Sequence, residues 1–281
     1  MSIADNSRDQ ASKNNPDEAS QVKDLQKSMS SIKHKLLFIS SKGGVGKTSV
    51  IVNFAMALSM RGMKVGLMDL NYNSPEIHKI FGFEVEAVGE RDKPFIPVGY
   101  TDDLKVASIQ SIIKGRGETG AWGRPLMIPD IQRFISSVDW VELDYLFVDT
   151  AAGPGEKLRT VIQAIPDAKT IIVTTPNKIS GDSAQKMINF FRNEKIPILG
   201  WIENMRGFLC QNCGQRQELF SSGPANRAIF LMDIPFLGRI PIDPAMGGCA
   251  SWGGGGSLDL DDGCAAFAGC FHARRWRTTP R

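Results

Sequence analysis

Three sets of residues have the types and spacing to do chemistry. The run Ser40-Ser41-Lys42-Gly43-Gly44-Val45-Gly46-Lys47-Thr48-Ser49 is suited to holding a polyphosphate. Gly43, Gly44 and Gly46 let backbone N–H groups, those of Val45 and Ser49 among them, converge on an anion without Cβ interference. A helix opening at the end of the run adds its positive dipole end. Lys47 would then reach the β- and γ-phosphates, and the Thr48 hydroxyl would ligate Mg²⁺. The second set is Asp149, which ends the apolar run Tyr145-Leu146-Phe147-Val148 and precedes the turn Thr150-Ala151-Ala152-Gly153-Pro154-Gly155. A carboxylate there would hold the Mg²⁺ shell through water, and the Gly153 N–H could sense a γ-phosphate. The third set is Cys210-Gln211-Asn212-Cys213. It offers a pair of thiolates to one metal centre, whereas a closed Fe₄S₄ or tetrahedral zinc site takes about four ligands. A two-fold dimer would supply the other pair by symmetry.

The elements that must position these groups follow from the apolar pattern. Leu36 to Ile39 is apolar enough for a buried strand, and Val50 to Met60 has helical spacing, so the glycine run sits between a strand and a helix. Lys64 to Asp69 reads as a second strand ending on a carboxylate, followed by a helix from Ser74 to Phe81. Gly82 to Gly123 is glycine-rich and reads as irregular, apart from a strand at Leu104 to Ala107. Leu126, Ile128, Ile131, Phe134 and Ile135 carry the spacing of an amphipathic helix over Pro125 to Ser137, with Trp122 and Trp140 as core anchors. Strands at Thr170 to Thr174 and Ile198 to Ile202 flank a helix from Asp182 to Asn193. The alternation predicts an α/β fold: a single P-loop NTPase domain, with a mostly parallel sheet and helices on both faces. In such sheets ligands bind at the carboxyl ends of the strands, where all these motifs fall.

A chain of 281 residues with 42% hydrophobic content can bury a full core. A net charge of +3 is too small to argue for nucleic acid or an anionic membrane surface. No apolar stretch approaches the roughly 18 residues of a membrane span, and the polar N-terminus lacks the apolar region of a signal peptide, so a cytoplasmic location is expected. The 5 cysteines, an odd number with one close pair, read as thiols or metal ligands of a reducing compartment. Residues 1–31 read as a disordered polar tail, residues 32–246 as the ATPase domain, and residues 247–281 as an atypical Gly/Arg-rich tail, native or frame-shifted. Cys249, Cys264 and Cys270 fall in that last stretch and are not assigned as ligands.

Two resemblances sharpen this reading. The pattern x-K-G-G-x-G-K-[ST], with Ser41 where a first glycine would stand, resembles the deviant Walker A loop of the MinD, ParA and nitrogenase iron-protein superfamily of dimeric ATPases. It implies that Lys42 reaches across a dimer to the partner's nucleotide. Relatives there carry D-x-D after the second strand, the second acid positioning or activating the attacking water. Here the sequence is Asp69-Leu70-Asn71. Asn71 can orient a water but cannot accept its proton, which implies slow hydrolysis; its other reading is a cap for the next helix. The block Gly200-Trp201-Ile202-Glu203-Asn204-Met205-Arg206-Gly207-Phe208-Leu209-Cys210 to Cys213-Gly214 and the run Pro235-Phe236-Leu237-Gly238-Arg239-Ile240-Pro241-Ile242-Asp243-Pro244 resemble the Mrp/ApbC-type P-loop ATPases, the iron-sulfur cluster carriers. That resemblance covers about Lys33 to Met246. It implies that Asn204 reads the adenine edge, which an amide can do because it donates and accepts at once. The loop from Pro241 to Asp243 would close over the base. The alternative for Asn204 is a plain turn residue. Residues 1–31 contain no cysteine, so the four-cysteine N-terminal motif of some members is missing.

The resemblance therefore implies a homodimer that binds ATP and Mg²⁺, hydrolyses ATP slowly, holds an iron-sulfur cluster between the Cys210/Cys213 pairs of two copies, and delivers it to apo iron-sulfur proteins. Neither membrane nor nucleic acid is an expected partner. Thiolate spacing does not choose between zinc and iron-sulfur, so a zinc-bridged scaffold or nucleotide switch stays open. A MinD or ParA-like positioning ATPase is a third reading; it calls for an amphipathic membrane helix or a basic surface, and the sequence shows neither.

Overall fold

A computed structural model describes residues 29–86, 94–115, 127–165, 167–176, 178–210, 213, 215–217 and 232–242. Its centre is an eight-stranded sheet in the order β10-β7-β6-β1-β5-β2-β4-β3. These strands are β1 (Ile32–Ile39), β2 (Val65–Leu70), β3 (Val98–Thr101), β4 (Leu104–Ser108), β5 (Leu143–Thr150), β6 (Lys169–Thr174), β7 (Ile198–Glu203) and β10 (Phe236–Arg239). A separate antiparallel hairpin pairs β8 (Phe208–Leu209) with β9 (Arg216–Gln217). Every pairing in the large sheet is parallel except β3 with β4. The expected mostly parallel α/β architecture is what the chain adopts.

Continuous apolar runs make the central strands, because both faces of a parallel sheet are covered. All of β2 is buried. Alternation then divides the side chains between two faces. Leu37, Met68, Leu146 and Val148 enter one core with Ile131, Phe134 and Ile135 of α4 (Ile128–Ser137) and Val161 and Ala164 of α5 (Glu156–Ala164). Phe38, Leu67, Val106 and Phe147 enter the opposite core beneath α1 (Lys47–Ser59) and α2 (Ile77–Ile80). A third cluster seats Ala184, Met187, Ile188 and Phe191 of α6 (Lys178–Asn193) against Ile39, Ile172 and Trp201.

Several local expectations change. The first strand starts four residues earlier than its apolar run, at Ile32, because it pairs with β5 from Leu143 onward. Met29, inside the stretch read as a tail, is buried in the first core. The helix expected over Ser74 to Phe81 is the short α2, whose first turn begins only where the Asp69 carboxylate accepts the Ile77 N–H at 3.1 Å. The stretch read as irregular contains β3 and α3 (Gln110–Gly115). No helix was expected after Gly155, yet α5 is there, its stripe of Leu158, Val161 and Ala164 packed inward. Trp140 is a core residue as expected, while Trp122 lies outside the described residues.

Candidate functional site

The parallel register brings the chemical groups together at the carboxyl ends of β1, β5 and β2. Phe38 pairs with Asp149, and Asp149 pairs with Asp69, so both carboxylates stand at one level of the sheet. The loop from Ser40 to Gly46 leaves β1 and turns into α1, with Gly46 at φ 75° and Gly44 at φ 76°. Gly43 and Gly44 are exposed, and a Cβ at either would meet nothing within 4 Å, so the loop presents open backbone. Gly46 differs: a Cβ there would lie 2.3 Å from Asn204 Nδ2, on a backbone conformation that already favours glycine.

Lys47 and Thr48, the first residues of α1, both turn to Asp149. Lys47 Nζ pairs with Asp149 Oδ1, and the Thr48 hydroxyl donates to Asp149 Oδ2 at 2.6 Å. Burial pushes the Lys47 ammonium down to about 8, with the Asp69 carboxylate pulling it back up. Asp69 is fully buried, and burial raises it to about 6 against the opposing hydrogen bonds from the Ile77 and Asn71 N–H groups and the charge of Lys47. The site thus holds one buried ammonium against two buried carboxylates, an excess of negative charge that a divalent cation accompanying a polyphosphate would offset.

The surrounding loops are cross-linked. Gly153 donates its N–H to the Ser40 carbonyl at 2.9 Å, joining the turn after β5 to the phosphate loop. Lys157 Nζ lies 4.2 Å from the centroid of the Tyr72 ring, joining the start of α5 to the loop after β2. Asn71 is half-buried, and its N–H donates to Asp69 Oδ1 at 3.0 Å. It does not cap α2, whose N-cap is Glu76; Asp69 serves that helix instead. Lys42 is half-buried and Ser49 exposed, and the Ser40 hydroxyl donates to the Lys42 carbonyl at 2.9 Å.

At the end of β7, Asn204 is buried and its amide donates to the Val45 carbonyl at 2.8 Å, which brings it against the phosphate loop. Pro241 is half-buried just beyond β10, and Asp243 lies outside the described residues. Past Asn204 the chain enters the β8–β9 hairpin, closed by the Cys210 N–H on the Gln215 carbonyl at 3.0 Å. Cys210 is half-buried and Cys213 exposed. Among the described residues no group of three or more His, Cys, Asp and Glu could hold a metal ion, and no helix is long and apolar enough to cross a membrane.

Three features escape a reading of the sequence. Asp69 was visible as a strand-ending acid, but its hydrogen bonds to Asn71 and Ile77 come from the fold. Glu203 is a fully buried acid within an apolar strand, itself a signal, and faces Arg206 and Arg239. Ser40 matters through its backbone carbonyl, which no side-chain motif can announce.

Comparison with known proteins agrees with this architecture. Residues 31–256 match the ParA family described as NUBPL iron-transfer P-loop NTPase. An iron-sulfur cluster carrier protein of Methanocaldococcus jannaschii is 39% identical over 226 residues, covering 80% of this chain and 78% of that protein. The cytosolic Fe-S cluster assembly factor Nubp2 homolog of Anopheles gambiae is 37% identical, covering 82% of this chain and 91% of its own length. Among solved structures, a nucleotide-binding protein from Archaeoglobus fulgidus in complex with ADP superposes with a TM-score of 0.69 at 31% identity, over 83% of this chain and 91% of that one. The septum site-determining protein MinD of Pyrococcus horikoshii, with Mg-ADP, gives a TM-score of 0.58 at 21% identity over 85% and 94%, a likeness of fold. The chain belongs to the ParA-type family of NUBPL iron-transfer P-loop NTPases, a nucleotide-binding family whose curated relatives are named for iron-sulfur cluster carriage and assembly.

Proposed function

We propose that this protein is an ATP-binding iron-sulfur cluster carrier that works as a homodimer, with the cluster as cargo between the Cys210/Cys213 pairs of two copies. The observation that carries this reading is the placement of both thiols in the turn of a short hairpin, Cys213 exposed and Cys210 half-buried, where a second copy can reach them. The nucleotide reading rests on the open loop at Gly43 and Gly44 and on the Thr48 hydroxyl meeting the Asp149 carboxylate at 2.6 Å, a donor set suited to Mg²⁺. When bound, Mg²⁺ neutralises charge on the phosphate oxygens. Lys47 would turn to the phosphates, Lys42 to the partner's nucleotide, and the Gly153 N–H would leave the Ser40 carbonyl for a γ-phosphate. Asn204 and the Pro241 to Asp243 loop would hold the adenine. Hydrolysis would be slow, since Asn71 cannot take a proton from water. Apo iron-sulfur proteins in the cytoplasm would be the recipients.

Anaerobic reconstitution with iron and sulfide tests the carrier role. Wild type should develop the visible absorption of a cluster, and Cys210→Ala should not. Equal iron binding by the two would overturn it. A zinc-bridged scaffold is the second reading, favoured by Asn71 in place of an acid. Zinc at about half an atom per chain after anaerobic purification, without iron, would establish it instead.

A further inference from the structure

Five residues separate Asn204 from Cys210, and a third segment braces them. Ile240 donates its N–H to the Glu203 carbonyl at 2.9 Å, Arg206 donates to the Ile240 carbonyl at 2.9 Å, and Ile242 donates to the Gly207 carbonyl at 2.8 Å. Phe208, the first residue of the hairpin, forms a parallel bridge with Ile242. Side chains reinforce the ladder. The buried Glu203 carboxylate lies 3.7 Å from Nη1 of the buried Arg206 and 3.2 Å from Nε of Arg239. Met205, between Asn204 and Arg206, holds φ 59°, a left-handed conformation that a non-glycine keeps only where its surroundings impose it.

We propose that the cysteine hairpin senses the base of the nucleotide rather than its phosphates, through the Ile240–Ile242 segment, with Arg206 as the positioning residue. This rests on the reading of Asn204 and Pro241 as base contacts. A base seated there would bear on both sides of the ladder: on Asn204, just past β7 and two residues before Arg206, and on Pro241, whose next residue donates to Gly207. Shifting either side re-aims Gly207 and Phe208, and with them the hairpin that carries Cys210 and Cys213. The phosphate loop meets this strip on the Asn204 side, at Asn204 and Met205, between the Glu203 and Arg206 rungs. Glu203, held by both arginines, keeps the two sides in register, so that movement of one is transmitted to the other. Coupling between two binding equilibria is reciprocal, so metal on the thiols must change the affinity for the base by the same factor.

The test uses the full chain with Co²⁺, whose thiolate charge-transfer band reports occupancy of the cysteines. ADP and pyrophosphate affinities, both with Mg²⁺, are measured by calorimetry on Co²⁺-loaded and metal-free protein. The expected result is a change of at least threefold (~0.6 kcal/mol) in the ADP dissociation constant on loading and none for pyrophosphate. Arg206→Met should abolish the ADP response while keeping the Co²⁺ band and the metal-free ADP affinity within about twofold, and Arg206→Lys should restore part of it. Ile242→Pro, which removes the N–H bonded to Gly207 and leaves the ion cluster intact, should also abolish it. An equal response to pyrophosphate, or a full response in both Arg206→Met and Ile242→Pro, overturns the inference. No Co²⁺ band in wild type overturns the metal reading of the cysteines and this inference with it, whereas a band without any ADP response overturns the inference alone.

Discussion

The phosphate end and the cysteine end of the molecule are built by opposite means. Around Lys47 the groups stand on neighbouring strands in register, Asp69 beside Asp149, both fully buried and shielded by two cores. Around Cys210 the support is a hairpin with two residues per strand, tied to the body by the Ile242 bridge. The first arrangement sets its ammonium against two carboxylates within one chain. The second offers a pair of thiols, which under the proposed function would need a second copy to complete a four-ligand centre. The proposed carrier role would give this contrast a reason: the nucleotide would sit in rigid scaffold, and the cargo where a recipient could reach it.

The largest effects should separate the two ends. Lys47→Ala removes the ammonium that faces the buried Asp149, leaving an uncompensated carboxylate, and should cost about 3–5 kcal/mol of stability by urea unfolding. ADP affinity by calorimetry should fall at least about a hundredfold, some 2.7 kcal/mol. The Co²⁺ thiolate band should survive wherever the variant remains folded. Cys213→Ala should do the reverse, removing the band while holding metal-free ADP affinity within about twofold of wild type. Loss of the band in folded Lys47→Ala would erase the distinction between the ends.

A smaller effect concerns pH. Asp69 in the folded chain is raised to about 6, chiefly by burial. A carboxyl raised above its unfolded value contributes stability that is complete below the unfolded pKa, near 4, and is lost as pH rises through about 6. Urea unfolding from pH 4 to pH 7 should therefore show a decline of order 2–3 kcal/mol from this group. Asp69→Asn, an amide that no longer ionises, should flatten the profile in that window. An unchanged slope would show that the buried charge balance at the phosphate end does not centre on Asp69.

The same contrast explains what the sequence discloses. The phosphate end was legible because its rules are local: an apolar run, a glycine loop, a lysine and a helix are contiguous, and so are Tyr145 to Gly155. What was lost depends on contacts between distant residues. α5 escaped because its inward stripe is short, with Leu158, Val161 and Ala164 spread over a single nine-residue helix after a glycine-proline turn. β3 escaped because an edge strand with Gly99 at its centre has little apolar pattern to show. At the cysteine end the motif is plain, but its anchorage is not. The Arg206 N–H on the Ile240 carbonyl and the Ile242 N–H on the Gly207 carbonyl are backbone bonds, blind to residue type. Glu203 came nearest to betraying itself, as a charge inside a buried strand.

The subtlest test of the phosphate end is Asn71→Asp. The Asn71 N–H bonds to Asp69 Oδ1 at 3.0 Å, so this residue sits at the edge of the buried charge cluster, half-buried where Asp69 is sealed. A carboxylate introduced there could accept a proton from water, and a positioned general base contributes about 10²–10⁴ in rate. The charges of Asp69 and Asp149 would keep part of the new carboxyl protonated and so blunt that gain, and the net rise in kcat should be nearer tenfold, about 1.4 kcal/mol in the barrier, while its own repulsion of a triphosphate raises KM slightly. Steady-state phosphate release reads both constants. If kcat does not move, proton acceptance is not what limits turnover, and the slow step passes to the Gly153 N–H leaving the Ser40 carbonyl, a conformational event that substitution at Asn71 would not accelerate.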